Sequence, residues 1–389
     1  MIRLLTPDDA AAAFRLGAVT FGYPDDTAPP YEPRLGRHTW VAIDESGTLV
    51  AKAIDREQWH WFGGRLVPAT GVAGVAVASE HRGRGLSTEL MTRLMVGARE
   101  RGAVVGTLFD TMPAPYRRVG WEEIGALRVL SVPTVSLATV RTPAGFSTRP
   151  ATASDVPTLA DLYRESARAG TALMDRRAPT VDEAAFLNDF NGTSLALDPQ
   201  GKIAGYFRWS REGGYRREGV ITVEDLIATR PEALLTLLAL LGGWAAVAPE
   251  LRLLVPASDP VLLVSALAHA RVHEHDPWML RLIDTAGAVA ARGWNEHVSG
   301  TVDLAIDDPV CPWNSGNVRL IAERGEGRLE PGGSGEVAVG PRALAALYAG
   351  SAAPDVLRRA GLLSGGSPAT DAFLQAIAAG PPAELRDYF

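Results

Sequence analysis

The stretch that decides the fold runs from Gly71 to Leu94, GVAGVAVASEHRGRGLSTELMTRL. Val72, Val75 and Val77 alternate with small residues and read as a strand, whereas Leu86, Leu90, Met91 and Leu94 recur at helical spacing. Between them, Arg82, Gly83, Arg84 and Gly85 stand where the helix begins. Backbone N–H groups at a helix start lack intrahelical acceptors, and the macrodipole is positive there. A glycine at that point lets an anion approach the backbone, and two arginines add charge-assisted donors. This strand, loop and helix predict a cradle for a pyrophosphate. No Gly-Lys-Ser/Thr follows, which excludes a P-loop, and no G-x-G-x-x-G opens the helix, which excludes a Rossmann loop.

The pattern of Arg82, Gly85 and, with a departure, Ser87 resembles the acetyl-CoA loop of the GNAT superfamily of N-acetyltransferases. The resemblance implies acetyl-CoA as co-substrate. Its binding positions would be Val75 and Val77 on the strand, Arg82, Gly83, Arg84, Gly85, Leu86 and Ser87 on the loop, and Thr111 beyond the next strand. Ala103 to Phe109 reads as that next, parallel strand, which a GNAT splays from Val75 to Val77 so that the pantetheine arm pairs with exposed backbone. Met112 to Trp121 then resembles the GNAT segment of Tyr, basic, apolar, Gly and aromatic residues. It places Tyr116 where that superfamily keeps the tyrosine that protonates the departing thiolate.

With 389 residues, 47% of them hydrophobic and 21% charged, the chain has room for two or three domains of ordinary globular composition. The net charge of -7 argues against nucleic acid and permits a cationic substrate. Leu234 to Ala248, the longest apolar stretch, is short for a membrane span and is broken by Gly242 and Gly243. Asp8 and Asp9 exclude a secretory signal. The single cysteine, Cys311, forms no internal disulfide and suits a reducing cytoplasm. No metal is expected: His269, His273, His275 and Asp276 lie where a helix gives way to a strand, which would scatter them. Hydrolase readings lack a G-x-S-x-G elbow and a cysteine paired with a base.

Thr6, Pro7 and Asp9 mark a capped helix start, and hairpin signals at Asp44 to Gly47 and Gly63-Gly64 predict antiparallel strands feeding the central one. These signals recur. Arg3, Thr6 and Asp9 return at the same spacing as Arg149, Thr152 and Asp155, and Ala42-Ile43-Asp44-x-x-Gly47 returns as Ala196-Leu197-Asp198-x-x-Gly201, which predicts a duplication. The second copy opens its helix, read as Glu232 to Val247, with Pro231 and no glycine, so it keeps the fold without binding cofactor. The last 95 or so residues resemble the sterol-carrier-protein fold, on Asp307-Asp308, Asn314 to Leu320, and Gly340-Pro341-x-x-Leu344-x-x-Leu347-Tyr348-x-Gly350.

The expected architecture is α/β (α+β): a GNAT domain at 1–135, a second GNAT-like domain at 136–285 and a sterol-carrier-like domain at 286–389. Two GNAT-like units and that tail, with Trp61-Phe62-Gly63-Gly64 leading to Gly71, resemble the enhanced intracellular survival (Eis) family. The family resemblance implies acetylation of aminoglycosides or other polyamines by direct attack, a hexameric assembly, and a C-terminal carboxylate, here of Phe389, reaching into the active site. Asp25 and Asp26, in a proline-rich acidic loop, are candidates for gathering the cationic groups of the substrate. Departures are Ser79 where many members have Pro and Gly83 where some have Arg. Acetyl transfer to protein lysines or small metabolites, and non-catalytic lipid binding by the last domain, are the alternatives.

Overall fold

A computed structural model describes the chain except residues 25–27, 29, 182–189, 215–217, 257, 265–266 and 268–269. The first copy runs β1 (Ile2–Leu4), α1 (Ala10–Phe21), β2 (Arg37–Ile43), β3 (Leu49–Phe62), β4 (Arg65–Val77), α2 (Leu86–Glu100), β5 (Val105–Phe109), α3 (Pro113–Arg118) and β6 (Glu122–Pro133). Asp9 closes the capping box before α1 by accepting from the Thr6 backbone N–H at 2.8 Å and from Arg3 at 2.5 Å. The second hairpin signal becomes one long β3–β4 ribbon, because Gly63 and Gly64 take the positive φ values that a tight turn between twisted strands requires. Leu90, Met91, Leu94, Met95 and Ala98 of α2 are buried against it, the one-sided stripe of a surface helix.

The second copy runs β7 (Ser147–Pro150), α4 (Val156–Ala169), β8 (Gly192–Leu197), β9 (Ile203–Glu212), β10 (Val220–Ala228), α5 (Pro231–Gly242), β11 (Glu250–Leu254), α6 (Val261–Val264) and β12 (Arg271–Leu282). It repeats the first in detail. Arg149 donates to Asp155 at 2.7 and 2.8 Å, as Arg3 does to Asp9. Asp44 and Asp198 each accept two backbone N–H groups in the same turn. Register slips by one residue at Val50 and again at Ala204, and the bulge at Gly74 and Val75 in β4 has its counterpart at Glu224 in β10. The helix α5 stops at Gly242, short of Val247. A side chain on Gly242 would press on the Leu137 carbonyl, and the chain turns there into β11.

The copies have exchanged their last strands: β12 pairs with β5, β6 pairs with β11, and β6 and β12 pair with each other, all antiparallel. Among the described residues thirteen strands therefore form one sheet, with no exposed edge at the seam.

The remainder comprises α7 (Thr285–Ala291), β13 (Gly300–Ile306), β14 (Gly316–Glu323), β15 (Glu326–Pro331), β16 (Val337–Val339), α8 (Pro341–Ala349), α9 (Pro354–Arg359), β17 (Leu363–Gly365), α10 (Pro368–Ile377) and β18 (Ala383–Glu384). Strands β13 to β17 form a separate five-stranded sheet, and α8 packs on β6 and β12. Arg281 of β12 and Asp308 of this third unit, both wholly buried, pair at 2.6 and 2.7 Å. The remaining guanidinium donors meet the carbonyls of Val119 and Leu282, and Asp308 also accepts from Cys311 N and Asn314. This satisfaction is what makes a buried pair tolerable. The Cys311 thiol is buried and its pKa is pushed up to about 11 by that burial, which keeps it protonated and inert.

Candidate active site

Strands β4 and β5 run parallel from Ala69↔Val105 to Val72↔Leu108, and then the pairing ends. Beyond it, the bulge at Gly74, whose φ is 56°, takes two β4 residues out of register with β3. Val75 and Val77 lie on this stretch, whose β5-facing edge has no strand beside it among the described residues. The end of β5 at Phe109, Thr111 just beyond it, and the starts of α2 and α3 all gather at the same end of the sheet. That is where parallel α/β sheets bind ligands.

On the loop, Gly83 and Gly85 have φ of 75° and 79°, and a Cβ at either would meet open space, so the cradle faces outward. Gly85 caps α2, and the first bond back from the helix is Glu89 N to Gly85 O at 3.1 Å. The amides of Leu86, Ser87 and Thr88 precede that bond and are the free donors of a helix start. Arg82 Nε donates to Val77 O at 3.2 Å and Arg84 Nη2 to Glu80 O at 3.1 Å, which curls both exposed side chains around the loop. Open glycines, free amides and two arginines fit a pyrophosphate. The second copy offers Arg230 as N-cap and Pro231 at the first helical position instead.

Tyr116 sits half-buried on α3 against the α2 cluster. Burial, with Asp110 second, pushes its phenol up to about 12. Asp25 and Asp26 lie outside the described residues.

The last seven residues are fixed one after another. Ala383 and Glu384 pair with Gly125 and Ala126 of β6, on the edge that β11 leaves vacant beyond Val129. Leu385 is buried, and Arg386 donates to Asp259 at 2.7 Å. Asp387 accepts from Tyr163 Oη at 2.8 Å and from Arg176 Nε at 2.9 Å, and Arg176 also forks onto Asp225 of β10 at 2.6 and 2.9 Å. Burial raises the Asp225 carboxyl pKa, but Arg176 and Arg208 outweigh it and hold the group far below the carboxylate range. Tyr388 stacks on Phe109 at 4.5 Å, and the Phe389 ring lies 5.3 Å from Phe109 and 6.4 Å from His60. The chain thus ends beside the carboxyl end of β5, where β4 and β5 part.

A cavity of about 570 Å³ lies along this tail between the two copies. Besides Asp387, Tyr388 and Phe389, its wall includes Arg56 and Gln58 of β3, Glu224 of β10, and Glu274 and Asp276 of β12. Of these wall residues the sequence singled out only Asp276, as a metal-ligand candidate, and passed over the others. Their signal was charged and amide side chains set inside strands, Asp55 to Gln58 in β3 and Glu224 inside VITVEDLI. His273 and His275 stand on β12, His269 lies outside the described residues, and among the described residues no cluster could hold a metal.

His60 is wholly buried, its Nδ1–H donating to Ala172 O at 2.7 Å, and burial lowers its pKa to about 4. A folded pKa below the unfolded value of about 6.5 means that the stability contribution is intact above pH 6.5 and is lost as pH falls through about 4. About 1.4 kcal/mol per pKa unit makes that loss roughly 3 kcal/mol. Urea unfolding at pH 7 and pH 4.5 measures it, and His60→Gln is expected to flatten the acid limb.

Comparison with known proteins names this arrangement. A model of the acetyltransferase (GNAT) domain matches residues 1–124, a second such model matches 174–282, and a sterol carrier protein domain matches 285–383. An uncharacterized N-acetyltransferase of Streptomyces avermitilis is 28% identical over 339 residues, covering 81% of each chain. A GCN5-related N-acetyltransferase from Kribbella flavida superposes with a TM-score of 0.84 at 29% identity, over 100% of this chain and 98% of that one. Eis1 from Mycobacterium abscessus superposes at 0.79 over the whole of both chains, at 23% identity. The protein is a GNAT N-acetyltransferase. Its tandem domains and sterol-carrier-like third unit give it the Eis-like architecture, and acetyl-CoA is its co-substrate.

Proposed function

We propose that the enzyme acetylates an amine of a small molecule held in the cavity between the two GNAT copies, by direct attack of the amine on the thioester. The observation that carries this reading is the tail, which lines the cavity and ends beside Phe109 at the opening of β4 from β5. Acetyl-CoA supplies the thioester. The loop from Arg82 to Ser87 would hold its pyrophosphate, and the vacant edge at Val75 and Val77, with Thr111 across the opening, its pantetheine arm. In this reading residues 1–135 supply the cofactor site, 136–285 the opposite cavity wall, and 286–389 the tail with its carboxylate. The α-carboxylate of Phe389 holds the substrate ammonium and relays its proton through water to the solvent. Glu224, Glu274 and Asp276 suit further ammonium groups, as an aminoglycoside or polyamine carries, with Asp25 and Asp26 as the additional candidates. Burial pushes the Glu224 carboxyl above its ordinary pKa, with Arg208 opposing, which makes it a better proton acceptor. The lipid-binding alternative finds an apolar cavity of only about 30 Å³ in the third unit, room for a water.

A thiol-release assay across simple amines, amino sugars and lysine peptides tests the reading, and turnover with peptides alone would redirect it to protein lysines. Sedimentation decides the expected hexamer.

Tyr116 acts in this scheme as a hydrogen-bond donor to the departing thiolate. A phenol at about 12 facing a thiol near 8.5 would lose roughly 5 kcal/mol by complete transfer. A shared proton that stabilises the developing charge avoids that cost. Tyr116→Phe is expected to lower kcat about 100-fold, the size of one lost donor to a developing anion, with the acetyl-CoA Kd unchanged. Stopped-flow turnover and equilibrium titration read the two quantities separately, and an unchanged kcat would make Tyr116 a packing residue.

A further inference from the structure

Strand β3 carries an unbalanced set of cations on one face. Side chains alternate along a strand, so Lys52, Arg56, Gln58 and His60 share a face, and the register with β2 sets Arg37 opposite Arg56 and Val41 opposite Lys52. Lys52 is only 7% exposed and runs under α1, where its ammonium and the Tyr23 hydroxyl converge on Gly17. Arg56 lines the cavity, and its Nε is buried with no hydrogen-bond partner. Among the described residues Arg34, Arg37, Lys52 and Arg56 make no ion pair. The neighbouring acids of β3 project from the other face and are already engaged, Asp55 by Arg101 and Glu57 by His38 at 2.9 Å.

Like charges directly opposite on adjacent strands destabilise a sheet, and a buried cation without a counter-charge costs more. The strain shows in the titration of the group. Burial and then Arg37 bring Lys52 down to about 8, and burial followed by Arg37 and Arg34 lowers Arg56. A fold keeps such a cluster beside a cavity when the missing charge arrives with a ligand. The pyrophosphate cradle at Arg82 to Gly85 is a separate place on the chain, beyond the end of β4. Elsewhere the cavity is lined by Glu224, Glu274 and Asp276, while its arginines Arg176, Arg208 and Arg386 are already paired, with Asp225, Asp387 and Asp259.

We infer that the acceptor is a zwitterion, an amine that also carries an oxyanion, and that Arg56, with Arg37 opposite it on β2, binds this carboxylate or phosphate while Glu224, Glu274 and Asp276 receive the amine. The inference rests on the amine-acetylation reading above. The oxyanion site then narrows the amines of that reading, favouring those that also carry a carboxylate or phosphate over those that carry ammonium groups alone.

Matched pairs of acceptors test it by thiol release: an amino sugar against its phosphate ester, and a diamine against the corresponding diamino acid. The oxyanion member of at least one pair is expected to have a kcat/KM tenfold or more above its partner, and the pair that shows it tells phosphate from carboxylate. Arg56→Gln should erase that advantage, bringing the oxyanion member down to the level of its partner, with the KM for acetyl-CoA unchanged. Equal kcat/KM within both pairs would overturn the inference, as would an Arg56→Gln enzyme whose main defect is a raised acetyl-CoA KM. Should no amine be turned over, the amine-acetylation reading itself fails. The anion site is then judged by the melting temperature in inorganic phosphate and in acetate, with acetyl-CoA saturating the loop. A rise in the wild type that Arg56→Gln loses supports the site, and equal shifts in both proteins sink it.

Discussion

Converting the C-terminal carboxylate of Phe389 to an amide is expected to lower acetyl transfer by about 100-fold or more, the lower range for loss of a positioned acid or base. The reason lies in how rigidly the end of the chain is delivered. Arg386 is tied to Asp259, Asp387 to Arg176 and Tyr163, Tyr388 to Phe109, and Phe389 to Phe109 and His60. An ordinary α-carboxyl titrates near 3.5 and is ionised at pH 7. Taking the proton from an ammonium near pKa 10, directly or through water, would be steeply uphill for such a carboxylate, so in the proposed scheme its larger part would be to hold the ammonium by charge while the proton leaves to bulk solvent. Amidation by protein ligation removes the charge and adds no bulk. A recombinant extension of a few residues removes the charge and also crowds the cavity. Deleting Phe389 draws the carboxylate back by about 3.4 Å along an extended chain. All three should lose turnover with the melting temperature and the acetyl-CoA Kd retained, because the anchors at Arg386 and Asp387 remain. An amidated enzyme with normal turnover would remove the carboxylate from the mechanism, and loss only in the extended one would assign the effect to crowding.

The contrast between the two ends of this site explains what was legible in the sequence. The strand, loop and helix are local: a strand pattern, glycines that need positive φ, and a helical stripe fall within twenty-four residues, so these elements of Gly71 to Leu94 are read without knowledge of the rest. The duplication is legible for the same reason, because each Arg-Thr-Asp cap closes over seven residues. By contrast, the exchange of β6 and β12 joins segments some 150 residues apart, and nothing in either strand says which copy it will complete. The tail shows the intermediate case. The resemblance supplied a terminal carboxylate, but Tyr163, Arg176 and Asp225, which hold the tail, lie 224, 211 and 162 residues from Asp387 and carry no local signature. Polar residues on β3 and β10 look like a solvated face until the fold shows a second copy closing over them. The acidic loop at Asp25 and Asp26, which was read as gathering the substrate, falls outside the described residues.

Arg82→Glu and Gly85→Val are expected to weaken acetyl-CoA binding by about 10- to 150-fold each, the equivalent of losing one charge-assisted contact worth about 1.5 to 3 kcal/mol. They act by different means. Arg82 is exposed and spends its Nε–H on Val77 O alone, so reversing its charge leaves the core untouched and places repulsion beside the pyrophosphate. Gly85 caps α2 at φ 79°, a conformation that a β-branched residue resists, and its Cβ would project into open space where the anion approaches the amides of Leu86 and Ser87. Valine there therefore costs some stability as well as affinity, whereas Arg82→Glu should cost affinity only. The second copy supplies the internal control. Arg230 caps α5 at the corresponding turn, but Pro231 removes an amide there and no glycine opens the loop. Arg230→Glu is expected to leave the acetyl-CoA Kd at its wild-type value. Equilibrium titration of the three variants decides the matter. Wild-type affinity in both first-copy variants, or a loss in Arg230→Glu, would move the cofactor out of the loop after β4.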